Sequence, residues 1–359
     1  MSVETFTEND KVNPLIEFGS LTTSSFEKLL VSRYSQSKIV IMVDENTHDY
    51  CLEYLITSFD VLQHAEVMLL PAGEENKVME VCFQVWEAMS EYQIGRKDLV
   101  INLGGGVVTD MGGFIASVFK RGVDFINIPT SLLGMVDASV GGKTGIDLGA
   151  YKNQLGTITQ PIAVLIDPVF LATLPQEELL NGYAEMLKHT LITDKQKFIQ
   201  LSEIEGLEAL INVALVKQSV QIKNEIVLND PFEKGLRKVL NFGHTIGHAI
   251  EGYLLSNDPI PHGLAVAAGM LIESFISCGR GILSREEFIS IEEVLLSRFP
   301  KIEIEKNALK EIIELCFQDK KNEVNKISCT LLNGIGNPLF DQFLTVEEIE
   351  KGLIYYIDL

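Results

Sequence analysis

The sequence predicts an α/β protein in which an N-terminal domain with a parallel sheet is followed by a mostly α-helical C-terminal domain, with the active site in the cleft between them. A chain of 359 residues is long enough for two domains. Short apolar runs alternate with helix-like stretches as far as residue 176, and mainly helical spacing follows. We therefore expect one domain at residues 1–176 and a second at residues 177–359.

The first domain contains short, β-branched apolar runs that predict strands. Stretches such as Lys77–Tyr92 lie between them and suit helices. This alternation predicts parallel βαβ units, whose ligands bind at the carboxyl ends of the strands. The predicted strands are Lys38–Val43, Glu66–Leu70, Asp98–Leu103, Asp124–Ile128 and Ile162–Ile166.

The second domain shows helical spacing of apolar residues, with Gly, Pro or Asn in most of the gaps. The predicted helices are Glu177–Leu191, Leu207–Leu228, Leu236–Glu251, His262–Cys278, Arg285–Phe299 and Lys306–Phe317.

The overall charge limits the classes of partner. The chain has 29 Lys and Arg against 50 Asp and Glu, which gives a net charge of -21. Such a charge repels nucleic-acid phosphates and anionic headgroups, so we expect no nucleic acid and no membrane among its partners. An anionic ligand would require cations that are gathered locally.

Cysteine usage and the lack of a targeting segment predict a cytoplasmic protein. The five cysteines are widely spaced without a C-x-x-C pair, and we expect reduced, mostly structural thiols. Met1–Lys11 is too polar for a secretory signal. The apolar run Leu264–Ile272 suits a buried core helix.

Three segments at predicted strand ends indicate a nucleotide site. Leu103–Gly113 (LGGGVVTDMGG) follows a strand and opens a predicted helix, whose N-terminal N–H groups attract a pyrophosphate. Asp44 also follows a strand, where it could accept hydrogen bonds from a ribose. A simple tight turn and an N-cap at Asp44 are the structural alternatives. Together with Pro71–Lys77 (PAGEENK), these segments favour a dinucleotide in a Rossmann-like domain.

The segment Pro129–Asn153 carries Lys143 and Lys152, the only Lys or Arg residues between Asp124 and Met186. A lysine that follows two glycines suggests a point charge directed at a phosphate or carboxylate. A flexible surface loop is the alternative.

The second domain contains a candidate metal site. Glu185 and Lys188 are three residues apart and share one face of a predicted helix. The predicted helix 236–251 has a polar stripe rich in histidine opposite an apolar face, and His262 follows. Two or three histidines with one carboxylate are a common zinc set, although an ordinary polar helix face is the alternative. The stripe consists of Arg237, Asn241, His244 and His248, and the apolar face of Val239, Phe242, Ile246 and Ile250.

These features together suit a redox reaction on an anionic, hydroxylated small molecule. The pattern H-E-x-x-H is absent, which disfavours a metalloprotease, and no G-x-S-x-G supports a hydrolase. Spacing alone does not identify the reaction.

The motifs resemble the 3-dehydroquinate synthase family through most of the chain. The resemblance implies a homodimeric lyase that uses NAD and a divalent ion, zinc or cobalt. Its substrate would be an anionic sugar phosphate, 3-deoxy-D-arabino-heptulosonate 7-phosphate (DAHP), and its products 3-dehydroquinate and phosphate. The matching segments are PAGEENK (71–77), GGGVVTD (104–110), the block 129–156, LPQEELLNGYAEMLKH (174–189), GLRKVLNFGHTIGHAIE (235–251), HGLAVAAGM (262–270) and DKK (319–321).

The resemblance also assigns roles to individual residues. Glu185, His244 and His262 would hold the metal, whereas His248 would contact substrate. Asp137 matches a carboxylate near the reacting centre, and Arg121 matches an arginine offered across the dimer interface to the phosphate. The cofactor-binding positions are Asp44, Glu74, Lys77, Gly106, Asp110, Thr130, Ser131, Lys143, Lys152 and Thr173. The substrate positions are Lys143, Lys152, Asn153, Lys188, Lys223, Arg237 and Asn241, with Lys320 or Lys321.

The implied reaction regenerates its cofactor in every turnover. The metal would acidify a ring hydroxyl so that hydride leaves to NAD. The new ketone would acidify the neighbouring C–H group, and the substrate's own phosphate would largely act as the base that accepts this proton as phosphate is eliminated. Hydride then returns, the ring opens, and an internal aldol closes the carbocycle. The protein would contribute mainly positioning and charge complementarity.

Three alternatives remain. Another sugar phosphate cyclase is disfavoured by Asn153, His248 and the DKK run. A metal-dependent polyol or glycerol phosphate dehydrogenase would release NADH. A regulatory NAD-binding protein with a degenerate second domain is disfavoured because the metal-ligand set is intact. Departures from the common family pattern at Ser131, Tyr183 and segment 145–151 remove no charged or ligating residue.

Overall fold

The structure is a computed structural model that describes residues 14–149, 151–255, 258–318 and 327–359. The chain separates into two compact units. The first comprises residues up to Pro175 together with Ile211–Val220, and the second comprises Gln176–Leu210 and Gln221–Leu359. The expectation for Met1–Lys11 concerns residues outside the described ranges. Cofactor binding by the first unit and metal binding by the second stay predictions.

The strands of the first unit include all five predicted from the sequence, each within one residue at either end. The strands are β1 (Leu15–Phe18), β2 (Ile39–Asp44), β3 (Glu66–Leu70), β4 (Leu99–Gly104), β5 (Asp124–Pro129), β6 (Lys143–Leu148), β7 (Tyr151–Ile158) and β8 (Ala163–Ile166).

Six of these strands form one parallel sheet in the order β1-β8-β5-β4-β2-β3. The strands β4 and β8 are fully buried, as expected for the centre of a parallel sheet covered on both faces. The predicted Rossmann-like α/β architecture is therefore confirmed. Neither β1 nor the antiparallel hairpin of β6 and β7 is predicted from the sequence, because the first is four residues long and the second is rich in glycine.

The helix that follows β4 packs unusually close to the sheet. A Cβ atom on Gly112 would overlap the side chain of Asn102, and one on Gly113 would lie 2.6 Å from Cγ2 of Thr144. Gly112 and Gly113 therefore serve the close packing of this helix and not the approach of a ligand. The α-helices of this unit are α1 (Phe26–Tyr34), α2 (Glu45–Thr47), α3 (Glu53–Ser58), α4 (Met79–Glu91) and α5 (Gly106–Val118).

The second unit is mostly helical, as predicted, and its described residues include an antiparallel hairpin. Its helices are α6 (Gln176–Leu191), α7 (Lys195–Ser202), α8 (Val213–Asn229, from Gln221 onward), α9 (His244–Leu254), α10 (His262–Gly279), α11 (Arg285–Arg298), α12 (Leu309–Gln318) and α13 (Val346–Asp358). The hairpin strands are β9 (Ile327–Leu332) and β10 (Pro338–Leu344).

The prediction of one continuous helix over 236–251 is wrong. A short 3-10 helix covers Leu236–Asn241, and α9 begins only at His244. Between them Phe242 has ψ 129° and Gly243 has φ 80°, a left-handed conformation that favours glycine. Leu207–Leu228 is likewise divided, because a 3-10 helix over Leu207–Leu210 precedes α8.

One described helix, α10, is long and apolar enough by length and composition to cross a membrane. Seventy-two per cent of it is buried inside the structure, which is typical of a core helix. The five cysteines are free thiols, and all except Cys278 are buried. Burial raises the pKa of Cys51 and Cys82 to about 12, so these thiols remain protonated and unreactive.

Candidate functional site

The carboxyl edge of the parallel sheet brings the predicted cofactor segments together. Strand β2 pairs with β3 on one side and with β4 on the other, so the chain changes direction across the sheet at this point. Open α/β sheets bind ligands outside the strand ends at such a switch point. Asp44 ends β2 here, and Gly104 ends β4.

The first turn of α5 forms a glycine-lined approach to this edge. A Cβ atom on Gly105 would lie 3.2 Å from Oγ of Ser131, and one on Gly106 would lie 3.3 Å from Cβ of Ala138. The first turn of α5 contains no acidic residue. The backbone N–H of Thr130 donates to the carbonyl of Gly104 at 3.0 Å, which holds the next loop beside the turn. The helix N-terminus and its hydroxyl neighbours therefore fit a pyrophosphate.

Asp44 is an N-cap, as the structural alternative predicted. Its Oδ1 accepts hydrogen bonds from the backbone N–H of Thr47 at 2.7 Å and from the Thr47 hydroxyl at 2.9 Å. The backbone N–H of Asp44 donates to the same hydroxyl, which completes a capping box. A ribose contact by Asp44 stays a prediction.

Lys77 is the centre of a charged cluster in the first unit. Its ammonium donates to Oδ2 of Asp110 at 2.8 Å and to Oδ1 of Asn153 at 2.7 Å. Glu74 lies 3.8 Å from Lys77 and 3.9 Å from the ammonium of Lys152. Burial by itself would lower the pKa of Lys77, but the carboxylates of Asp110 and Glu74 outweigh it, so this pKa is raised and the ammonium stays charged. Five residues predicted from the resemblance thus lie together.

Asp147, which is not among the residues predicted from the sequence, holds this cluster in place. Its carboxylate accepts the backbone N–H of Asn153 at 2.6 Å, and its own N–H donates to the carbonyl of Lys77 at 2.7 Å. Asn153 has φ 52°, a left-handed conformation that Asn tolerates better than most residues. Asp147 therefore ties the tip of the β6–β7 hairpin to the loop that carries Lys77.

The other predicted residues of the first unit lie on separate elements. Asp137 lies in a helical turn after β5, exposed Lys143 begins β6, and exposed Thr173 ends a 3-10 helix after β8. Arg121 is exposed in the turn between α5 and β5. That turn precedes β5 and so lies at the amino edge of the sheet, opposite the edge with Asp44 and Gly104.

Three predicted metal ligands meet in the second unit. Oε1 of Glu185 lies 3.5 Å from Nε2 of His244 and 3.8 Å from Nε2 of His262. Ligand atoms of a tetrahedral zinc ion are about 3.3 Å apart, given metal–ligand distances near 2.0–2.2 Å. The ring centroid of His248 lies 5.0 Å from that of His244, so a third imidazole is adjacent.

The surroundings of these side chains fit a cation. The side chain of Glu185 is fully buried; its Oε2 forms an ion pair with the ammonium of Lys188, and its Oε1 faces Nε2 of His244 and of His262. A buried carboxylate requires positive charge. Nδ1 of His244 lies 3.1 Å from the carbonyl oxygen of Phe242, so that nitrogen carries the proton and Nε2 presents a lone pair toward Glu185. The donor set and its orientation therefore suit a divalent ion.

Two further residues fix the ligand-bearing helices. Asn181, one turn before Glu185 on α6, accepts the backbone N–H of Gly263 next to His262. Glu273 of α10 is fully buried and accepts the N–H of Gly243 at 2.6 Å, next to His244. No local spacing in the sequence indicates either contact, because each joins segments far apart in the chain.

The remaining substrate-binding candidates of the second unit have separate environments. Because helix 236–251 is interrupted, Arg237 and Asn241 belong to the 3-10 helix and not to a stripe shared with His244. Arg237 is 3% exposed and donates to the carbonyl of Pro231 at 2.8 Å, and Asn241 donates to Glu233 at 2.7 Å. Lys188 and Lys223 are also buried. The predicted role of Asp319, Lys320 and Lys321 concerns residues outside the described ranges.

Comparison with known proteins agrees with this architecture. A solved structure of 2-epi-5-epi-valiolone synthase from Streptomyces hygroscopicus subsp. jinggangensis 5008, with NAD+ and Zn2+ bound, has a TM-score of 0.80 and 27% identity, covering 100% of this chain and 99% of that one. The fold is therefore that of the sugar phosphate cyclases.

Family models give the more specific assignment. The model for the 3-dehydroquinate synthase N-terminal region matches residues 67–181, and that for the C-terminal region matches residues 182–322. The 3-dehydroquinate synthase of Parabacteroides distasonis is 40% identical, covering 91% of this chain and 93% of that protein. That of Alkaliphilus metalliredigens is 39% identical, covering 89% and 90%. The chain belongs to the 3-dehydroquinate synthase family.

Proposed function

We propose that this chain converts DAHP into 3-dehydroquinate and inorganic phosphate. The observation that carries the proposal is the convergence of Glu185, His244 and His262 on one point, in a chain that belongs to the 3-dehydroquinate synthase family. The substrate undergoes oxidation, phosphate elimination, reduction and internal aldol closure. The hydride that is removed is also returned, so phosphate appears without net redox change.

NAD and a divalent ion are the proposed cofactors. When bound, the ion would supply Lewis acidity toward a substrate hydroxyl and NAD would exchange one hydride. Glu185, His244 and His262 would hold the ion. The N-terminus of α5, with Thr130, Ser131 and the Lys77 cluster, would hold the pyrophosphate end of NAD.

Buried cations in the second unit support an anionic substrate. Lys188 is 1% exposed, Lys223 is 6% exposed and Arg237 is 3% exposed, and such burial is rare for Lys and Arg. In this proposal, their charges neutralise the carboxylate and phosphate of the sugar phosphate, and His248 orients a hydroxyl. A protein of net charge -21 thereby binds a multiply charged anion.

Phosphate release from DAHP by the purified protein tests the proposal. We expect release that requires both NAD and a divalent ion, is abolished by a chelator, and proceeds without accumulation of NADH. Sustained NADH formation would indicate a dehydrogenase instead, and faster release from sedoheptulose 7-phosphate would indicate a different cyclase.

Variants of the metal ligands separate metal loss from general damage. Glu185→Gln and His244→Ala should lose bound zinc and turnover together. His64→Ala removes an exposed histidine of the first unit and should retain both. A Glu185→Gln protein that still releases phosphate at the native rate would contradict the metal assignment.

The homodimer and the cytoplasmic location are part of the same proposal. Support for the dimer comes from the position of Arg121 at the amino edge of the sheet, away from the cofactor segments of its own unit.

A further inference from the structure

A second carboxylate lies behind the proposed metal site. Glu251 of α9 is 4% exposed, and its Oε2 lies 3.4 Å from Nδ1 of His262, the first residue of α10. A carboxylate so deeply buried requires a partner that donates a proton or carries positive charge. The imidazole of His262 provides such a partner through Nδ1, while its Nε2 belongs to the proposed metal site.

The two nitrogens of His262 face different carboxylates. Nε2 lies 3.8 Å from Oε1 of Glu185, whereas Nδ1 faces Glu251. The nitrogens lie on separate edges of the ring, so Glu251 contacts the edge that does not face Glu185. Glu251 is therefore placed to act on the ligand rather than to become one.

The neighbouring histidine has a different acceptor at the same position. Nδ1 of His244 lies 3.1 Å from a neutral backbone carbonyl, that of Phe242. Both histidines thus have Nδ1 facing an acceptor and Nε2 directed at Glu185, and the acceptor facing His262 is a carboxylate whereas the one facing His244 is a backbone carbonyl. An anionic acceptor makes an imidazole a stronger electron donor to a metal than a neutral one does.

We propose that Glu251 is a positioning residue for the metal site. It holds His262 in the tautomer with the proton on Nδ1, fixes the orientation of the ring, and strengthens Nε2 as a ligand. This inference rests on the proposed metal role of His262. It assigns to Glu251 a contribution to metal affinity and geometry, with no contact to substrate.

The test measures metal binding directly. Apoprotein is titrated with Zn2+ in competition with a chromogenic chelator, and the visible absorption of the Co2+ form reports ligand geometry. Glu251→Gln keeps the shape and an acceptor oxygen but loses the negative charge. Glu251→Leu loses the acceptor oxygen as well as the charge. We expect Zn2+ affinity to fall roughly 10- to 100-fold, with the larger loss in the leucine variant and an altered Co2+ spectrum in both.

A matched control identifies a purely structural effect. Glu348→Gln removes another partly buried carboxylate of the second unit, one that pairs with Arg280 and contacts none of the metal ligands. It should lower the melting temperature of the apoprotein without changing Zn2+ affinity or the Co2+ spectrum. If Glu251→Leu fails to fold, the isosteric glutamine variant decides the test.

The outcomes distinguish the inference from the proposed function. Native Zn2+ affinity and a native Co2+ spectrum in Glu251→Gln would overturn the positioning role and leave the metal site intact. The proposed metal site itself would be overturned by either of two results. One is that the native protein binds no Zn2+, and the other is that Glu185→Gln binds Zn2+ as tightly as the native protein.

Discussion

Lys77 shows how a single side chain can organise a site from within the protein. Its side chain is 3% exposed, and its ammonium contacts Asp110 and Asn153 from separate elements. Because Lys77 is buried and the side chain of Asp110 is only 20% exposed, removal of one partner should cost more than removal of both. Lys77 therefore supports the fold of the first unit as well as its proposed cofactor site.

Replacement of Lys77 tests this dual role. Lys77→Met leaves the carboxylate of Asp110 without its ammonium partner, and we expect a loss of about 3 kcal/mol in the free energy of unfolding. The double variant Lys77→Met/Asp110→Asn removes both charges and should recover most of that stability. Urea unfolding followed by circular dichroism provides the measurement.

NAD binding provides the second readout for the same pair. Both variants should bind NAD at least about tenfold more weakly, because the charged cluster is gone in each. Equal stability of the single and double variants would contradict a buried ion pair at this position.

Residue type in an unusual context was the most useful signal at this scale. The isolated Lys152, a histidine-rich segment and a glycine turn after a strand indicated residues that the structure groups within each unit, whereas the other isolated lysine, Lys143, is exposed at the start of β6. Asp147, Asn181, Glu251 and Glu273 escaped notice, because ordinary acidic and amide residues show their importance only through the backbone or ring that they contact.

At the scale of elements, the crossing of α9 and α10 sets the positions of two proposed ligands. The helices touch through glycines: a Cβ atom on Gly269 would overlap the carbonyl oxygen of Gly243, and one on Gly247 would lie 2.8 Å from the carbonyl oxygen of Ala265. Glu273 adds a buried hydrogen bond to the same contact. His244 and His262 begin these two helices, so their spacing depends on this close approach.

One added methyl group should disturb this crossing. Gly269→Ala places a methyl group against backbone that cannot move away without shifting α9, and we expect a loss of about 3 kcal/mol in unfolding free energy together with weaker Zn2+ binding. Gly279→Ala is the matched control, since it adds a methyl group to the same helix with nothing within 4 Å. The control should be neutral or stabilising by about 0.5 kcal/mol. The measurement is the melting temperature of each variant in thermal unfolding. Equal melting temperatures for Gly269→Ala and Gly279→Ala would refute tight packing at Gly269.

The end of α10 is joined to the start of α13 by a paired guanidinium and carboxylate. Arg280 donates Nε and Nη2 to the two oxygens of Glu348 at 2.6 Å and 2.8 Å, and Nη2 also donates to the carbonyl of Phe343 in β10. Glu348 also completes the capping box of α13 with Thr345. The hydrogen bonds from Arg280 lower the pKa of Glu348 to about 2.

This shift predicts a pH dependence of stability. A carboxyl whose pKa is lower in the folded state stabilises the protein above its unfolded pKa, near 4.5, and loses that contribution as pH falls toward 2. The melting temperature of Glu348→Gln should therefore lie below that of the native protein at pH 7, and the difference should narrow as pH falls below about 4.5. Glu347→Gln, an exposed neighbour without the arginine contact, should show a smaller difference. A difference for Glu348→Gln that is constant from pH 7 to pH 3 would exclude the ion pair as its source.

At the scale of the whole molecule, Arg121 is the residue through which the proposed dimer can be tested. It is exposed at the amino edge of the sheet, and its left-handed backbone, φ 66°, precedes Gly122 with φ 111°. The cofactor segments of the same unit lie at the carboxyl edge. This position agrees with the proposal that Arg121 contributes to the site of a partner subunit.

Mixed dimers test whether Arg121 acts across an interface. Arg121→Ala and Glu185→Gln proteins should each be inactive as homodimers. If the arginine is contributed by the partner, a mixed dimer has one complete site, so a one-to-one mixture refolded together should recover about a quarter of native phosphate release. If the arginine acts within its own subunit, the mixture should remain inactive. Sedimentation analysis supplies the control, since the expected particle has twice the 39.9 kDa mass of the chain.

The sequence by itself determined the division into an alternating α/β half and a helical half, the central strands, and the kinds of chemistry present. These follow from the local periodicity of apolar residues and from rare residue types, which are properties of neighbouring positions. The tertiary structure decided the break at Phe242–Gly243, the pairing of β6 with β7, the opposite edges of Arg121 and Asp44, and the carboxylates behind the histidines. These depend on contacts between segments that are distant in the chain, and packing alone selects such contacts.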